Sequence, residues 1–129
     1  EQFADQQIDV IVGVESRGFI FASALSYKLG AGLVIVRKPG KLPYKTYQET
    51  YELEYGTDSL EIHQDAIKPG QKVLIVDDLL ATGGTVKATA DLLKKFDATI
   101  VGIGFLIELA FLNGKEKLTG YNVKSLITY

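Results

Sequence analysis

Apolar residues along this chain come in short unbroken runs separated by segments of longer period. "IDVIVGV" (8–14), "GLVIVRK" (32–38), "KVLIVDD" (72–78) and "ATIVGIGFLIEL" (98–109) are nearly continuous in Val, Ile and Leu, as parallel strands covered on both faces require. "GFIFASALSYKLG" (18–30) follows the first run and reads as a helix. After the third run, Thr85 can cap a helix in which Val86, Thr89, Ala90 and Leu93 share one face while Lys87, Asp91, Lys94 and Lys95 share another. "NVKSLITY" (122–129) offers a last edge strand. Strands alternating with helices predict an α/β fold, a mostly parallel sheet with flanking helices. No repeat, low-complexity tract or linker divides the chain, so 1–129 reads as a single domain.

Residues 39–71 break that rhythm. They carry all three prolines, yet "YELEY" (51–55) and "SLEIH" (59–63) alternate apolar and polar residues around "GTDS" (56–59). The pattern predicts a β-hairpin flap turning at GTDS, with Tyr51, Leu53 and Tyr55 on one face and Glu52 and Glu54 on the other. The preceding "PGKLPYKTYQE" lacks the apolar density of a buried segment and is expected to stay outside the core.

Composition narrows the possibilities. With 129 residues, 47% hydrophobic and 23% charged, the chain can bury a real core. A formal charge of -2 gives no electrostatic reason to expect binding to nucleic acid or a membrane surface, so any anion site must be local. The absence of cysteine excludes disulfides, thiolate nucleophiles and Cys-ligated metal, and points to a reducing cytoplasm. Nothing resembles a signal peptide, and no apolar stretch reaches the ~20 residues that span a bilayer.

The candidate chemistry lies in "VLIVDDLLATGGT" (73–85). In an open α/β sheet ligands bind beyond the carboxyl ends of the strands, and this run delivers Asp77 and Asp78 to that rim. Gly83 and Gly84 let the backbone turn tightly and bring its N–H groups to an anion, Thr82 and Thr85 add hydroxyls, and the helix that follows contributes the positive end of its dipole. Such a site holds a phosphate in the glycine loop and hydroxyl groups on the carboxylates, the two halves of a phosphorylated sugar. The Walker loop is excluded, because no Gly-Lys-Ser/Thr string follows a glycine at the required spacing. The dinucleotide fingerprint is excluded too, because "GIG" (102–104) lacks its third glycine. Arg17 and Arg37, the only arginines, each follow a predicted strand on the same rim, where a guanidinium can grip phosphate oxygens in pairs. His63, with no acidic or serine partner nearby in sequence, is given no role.

"VLIVDDLLATGGT" resembles the signature of the type I phosphoribosyltransferases. "GVESRGF" (13–19), "VRKPGKLP" (36–43), "LEYGTDSLEIHQDA" (53–66) and "IELAFLNGKEKL" (107–118) extend the resemblance to the adenine phosphoribosyltransferases over nearly the whole chain. The resemblance implies transfer of a 5-phosphoribosyl group from phosphoribosyl pyrophosphate to adenine, giving AMP and pyrophosphate, a purine-salvage reaction. Alternatives are another purine (xanthine, hypoxanthine or guanine), a non-catalytic regulator that senses phosphoribosyl pyrophosphate, or a structural module that binds a ribose phosphate.

The resemblance also implies roles. Ala81, Thr82, Gly83, Gly84 and Thr85 bind the 5-phosphate. Asp77 and Asp78 bind the ribose hydroxyls and stabilise the oxocarbenium-like transition state. Ser16, Arg17, Arg37 and Lys41 meet the pyrophosphate, with Mg²⁺ held mainly by substrate and water and no protein metal ligands. In the family the "ESRG" turn holds a cis peptide, here between Glu15, where the family often has Asp, and Ser16. Glu54, beside Tyr55 of the flap, is the expected general acid at adenine N7, and Leu109 is expected against the base, with Ile107 and Glu108 nearby. Family members carry an N-terminal hood over the base. This chain opens at "EQFADQQIDV", so the expectation is a chain without the hood that holds adenine less well. Small-molecule substrates, no nucleic acid or membrane partner, and a homodimer complete the expectations.

Overall fold

The computed structural model describes residues 7–53 and 55–129. Five strands form one parallel sheet: β1 (Val10–Val14), β2 (Gly32–Val36), β5 (Lys72–Leu80), β6 (Thr99–Glu108) and β7 (Val123–Thr128), in the order β2-β1-β5-β6-β7. β3 (Thr46–Leu53) and β4 (Gly56–His63) pair antiparallel as a separate hairpin. α1 (Gly18–Leu29) connects β1 to β2, and α2 (Gly84–Leu93) connects β5 to β6.

The two-residue period of the strands sorts their side chains onto the two faces. Ile11, Leu74 and Val76 pack with Ala22 of α1. Val12, Val14, Val73, Ile75 and Ile103 belong to the opposite and larger cluster, with Val86, Leu92 and Leu93 of α2 and Leu60 and Ile62 of β4. The central strands are therefore covered on both sides, which is why they read as unbroken apolar runs. From β1 the chain passes to β2 on one side, whereas from β5 it passes to β6 on the other. The order of connection therefore reverses between β1 and β5, and a crevice opens at their carboxyl ends.

The expected strands and helices are all present, with local corrections. α2 is capped not by Thr85 but by Gly83, at φ 88°. The flap does not turn at GTDS. Leu53 pairs with Gly56, so the chain reverses before GTDS, which is the first half of β4. Tyr55 stands at that turn, 96% exposed, rather than on a strand face with Tyr51. "TYQE" (46–49) is strand rather than peripheral coil, and Tyr47 packs edge-on against Phe96 with ring centroids 5.2 Å apart. The sequence hid this because polar Glu49 interrupts the inward tyrosines, while the apolar surface that receives them comes from α2 and β4. Glu54 and the side chain of Leu53, both assigned from sequence, lie outside the described residues.

Candidate active site

The site gathers at the β1/β5 crevice. β5 carries Asp77 and Asp78 to the rim, and the turn after β1 brings Glu15, Ser16 and Arg17 to meet them. The Glu15–Ser16 peptide is cis, as the resemblance implied. Arg17 Nε lies 2.8 Å from Asp78 Oδ2, with the arginine side chain 74% exposed, so the pair sits at the open edge of the crevice. Asp77 is deeper. A Cβ on Gly18, the first residue of α1, would stand 3.0 Å from Asp77 Oδ1, so only glycine lets the helix come this close. Asp77 Oδ1 accepts the Asp78 N–H at 2.8 Å. Burial pushes the Asp77 carboxyl up to about 7, and the neighbouring Asp78 carboxylate adds to the rise against the lowering effects of the Asp78 N–H and Arg17.

The glycine loop follows β5. Gly83 turns into α2 in the left-handed region, and the first helical bond runs from Lys87 N–H to Gly83 O. The N–H groups of Gly84, Thr85 and Val86 therefore have no acceptor within the helix and mark its positive end. A second glycine supports this loop from behind. A Cβ on Gly83 would stand 2.7 Å from Gly114 O, and one on Gly114 would strike Ala81 O and lie 2.8 Å from Leu80 Cδ1. Gly114 opens a 3₁₀ turn (Gly114–Leu118) after Asn113, at φ 55°. Sequence reasoning missed it, although "NG" is a turn signal. Thr82 is exposed, and Thr85 Oγ1 donates to the Tyr51 hydroxyl of β3 at 3.4 Å.

A cationic group lies on the β1/β2 side. Glu15, only 10% exposed, accepts the Lys38 N–H at 2.8 Å and the Arg37 Nε–H at 3.3 Å, and pairs with Lys41 Nζ. Burial works to raise the Glu15 carboxyl, but the Lys41 and Lys38 hydrogen bonds and the charges of Lys41 and Arg37 together hold it below the usual carboxylate range. Arg37 also bridges to Glu61 of β4 through both backbone groups, and its guanidinium lies over the Phe19 ring at 5.8 Å. Lys38 pairs with Asp58, which raises the lysine and lowers the aspartate, and donates to the Tyr51 hydroxyl at 3.4 Å. Glu15, Lys38 and Tyr51 thus join the flap to the rim, a role that no motif displayed.

Leu109 follows β6 on the same rim, held by its N–H to Leu80 O at 2.9 Å. Beside it, buried Glu108 accepts the Ser125 hydroxyl at 3.1 Å and faces Lys115 Nζ at 3.4 Å. Glu108 therefore faces the 3₁₀ turn and β7. His63 ends β4 edge-on to Tyr44. Among the described residues no three His, Asp or Glu side chains cluster as a metal site.

This arrangement can hold a phosphate at the helix N-terminus, vicinal hydroxyls on two carboxylates and a second anion among arginines and lysines. Comparison with known proteins agrees with that chemistry. Residues 1–127 match the family model for the phosphoribosyl transferase domain. The chain is 61% identical over its full 129 residues to adenine phosphoribosyltransferase of Alkaliphilus metalliredigens, spanning 76% of that protein. It is 60% identical over 129 residues to that of Desulfitobacterium hafniense, spanning 75%. The crystal structure of the Thermoanaerobacter pseudethanolicus enzyme superposes with a TM-score of 0.96 at 54% identity, covering 98% of this chain and 74% of that one. The Saccharomyces cerevisiae enzyme, solved with adenine and an imino-altritol bisphosphate, gives 0.92 at 46%, covering 97% and 70%.

Proposed function

The chain belongs to the adenine phosphoribosyltransferases of the phosphoribosyl transferase domain family, which make AMP from adenine and phosphoribosyl pyrophosphate, and from that premise we propose how its own residues divide the work. The 5-phosphate sits in the loop Ala81–Thr82–Gly83–Gly84–Thr85, on the free N–H groups of α2. Asp77 and Asp78 take the ribose hydroxyls. Arg17, Arg37, Lys41 and Ser16 receive the pyrophosphate. The donor must part the Arg17–Asp78 pair, which turns the guanidinium to the pyrophosphate and frees the carboxylate for the sugar.

The C1–O bond of the donor then breaks, the electron pair leaves with pyrophosphate, and adenine N9 attacks C1. The acidic pair lies where positive charge develops on the ribose. Glu54 donates a proton to adenine N7 as the N9 proton passes to the departing pyrophosphate, and takes the N7 proton back once N9 is bonded to C1. Leu109 lies against the base, and Tyr55 stands on the flap that covers the site. Phosphoribosyltransferases use Mg²⁺ with their donor. We place the ion on the diphosphate as part of the substrate, consistent with its preference for substrate oxygens and water over an all-protein cage. A homodimer fits the exposed Ile20 and Tyr27 of α1 and the exposed Leu33 of β2.

One observation carries the assignment of roles: the glycine loop, the acid pair and Arg17 converge on the crevice where strand order reverses. The test is release of pyrophosphate from labelled phosphoribosyl pyrophosphate, with adenine, hypoxanthine, guanine or xanthine supplied in turn. Turnover with adenine alone is expected. Turnover with another base would reassign the specificity, and donor binding without turnover on any base would make the protein a sensor.

A further inference from the structure

The phosphate loop contains no charged residue of its own, and the carboxylates beside it have the wrong sign for a phosphate dianion. The cations around it are already engaged: Arg17 with Asp78, Arg37 and Lys41 with Glu15, and Lys38 with Asp58. Lys117 differs. A Cβ placed on Gly84, the first residue of α2, would have Tyr51 Cδ2 at 3.7 Å and Lys117 Nζ at 4.0 Å as its neighbours from outside that helix turn. Lys117 makes no ion pair among the described residues.

The backbone that carries Lys117 is held on both sides, while its side chain is exposed. The Gly114–Leu118 turn is pinned at one end by Gly114 against the phosphate loop and at the other by Leu118, 1% exposed in the core. Lys115, in the same turn, is directed instead to buried Glu108.

We infer that Lys117 is a substrate-binding residue that reaches the 5-phosphate at Gly84, supplying the formal positive charge the glycine loop lacks. This rests on the loop holding the 5-phosphate. The point charge of an ammonium on a flexible stem suits a phosphate already oriented by backbone N–H groups, and such charge-assisted contacts are among the stronger hydrogen bonds.

The test compares wild type, Lys117→Ala and Lys117→Arg by calorimetric titration with AMP and by steady-state kinetics. Lys117→Ala is expected to weaken AMP binding and raise KM for phosphoribosyl pyrophosphate about tenfold, with KM for adenine and kcat within about twofold of wild type. Lys117→Arg should restore most of the loss, and the salt dependence of AMP binding should be shallower in the alanine variant. Unchanged AMP affinity in Lys117→Ala would overturn the inference, as would equal losses for donor and adenine, which denote a structural role. A wild-type protein that binds neither AMP nor the donor would instead refute the function proposed above.

Discussion

The two adjacent aspartates show how much one bond of chain can change a carboxyl group. Asp78 stands at the open edge against Arg17, whereas Asp77 is packed under the start of α1 and titrates near 7. A carboxyl whose folded value lies above its unfolded one, about 3.9, favours the fold when protonated. That contribution is full below about pH 4 and is lost as pH rises through about 7. Asp77→Asn should therefore be more stable than wild type at pH 8, by up to a few kcal/mol, with the difference shrinking toward pH 4. Urea unfolding of both proteins across that range measures it. Asp78→Ala should abolish detectable AMP formation while leaving the circular dichroism spectrum and melting midpoint close to wild type, because its side chain faces the crevice rather than the core. At this scale the sequence marked both acids, the glycine loop and Arg17 as candidates, and the structure brings Arg17 to Asp78. The sequence could not separate the two acids, because their difference arises from Gly18, a residue of another element.

At the scale of elements, the two supports of the site come from segments that local patterning read poorly. One is the Gly114 turn behind the phosphate loop. Gly114→Ala would drive a methyl group into Ala81 O and Leu80, costing roughly 1–3 kcal/mol by overpacking and weakening AMP binding at least tenfold. Calorimetry and denaturant titration read the two effects separately. The other is the hairpin, whose inner face is sealed by Leu60 and Ile62. Leu60→Ala should cost about 2–5 kcal/mol in urea unfolding, the loss of a core side chain rather than of a loose flap. The sequence indicated a hairpin but misplaced its turn, because Gly-Thr-Asp-Ser reads as turn chemistry while the register is set by the pairing of Tyr47 and Glu49 with Ile62 and Leu60.

For the molecule as a whole, parallel pairing places every predicted anion contact at one end of the sheet. Residues far apart in sequence, from Arg17 to Leu109, therefore share a rim. This was legible from the unbroken apolar runs alternating with a helical segment, the pattern of a doubly covered parallel sheet. What remained illegible were the contacts across the crevice, where side chains from β1, β2 and the hairpin meet. No helix among the described residues is long and apolar enough to cross a membrane. The apolar side chains left on the outside include Ile20 at 69% and Tyr27 at 92% exposure on one side of α1. Sedimentation velocity should find a dimer, and Ile20→Asp with Tyr27→Asp should shift it to monomer without changing the secondary structure.

The backing of Gly83 by Gly114 also bears on the order in which activity is acquired during synthesis. A ribosome-bound intermediate extended only through α2 already displays all of "DDLLATGGT", yet the buttress for its anion cradle lies some twenty residues further along and has still to leave the exit tunnel. Competence to recognise the nucleotide product is thus withheld until β6 has been threaded into place. A nascent chain arrested before that point would not be retained on immobilised AMP, whatever signature it carries.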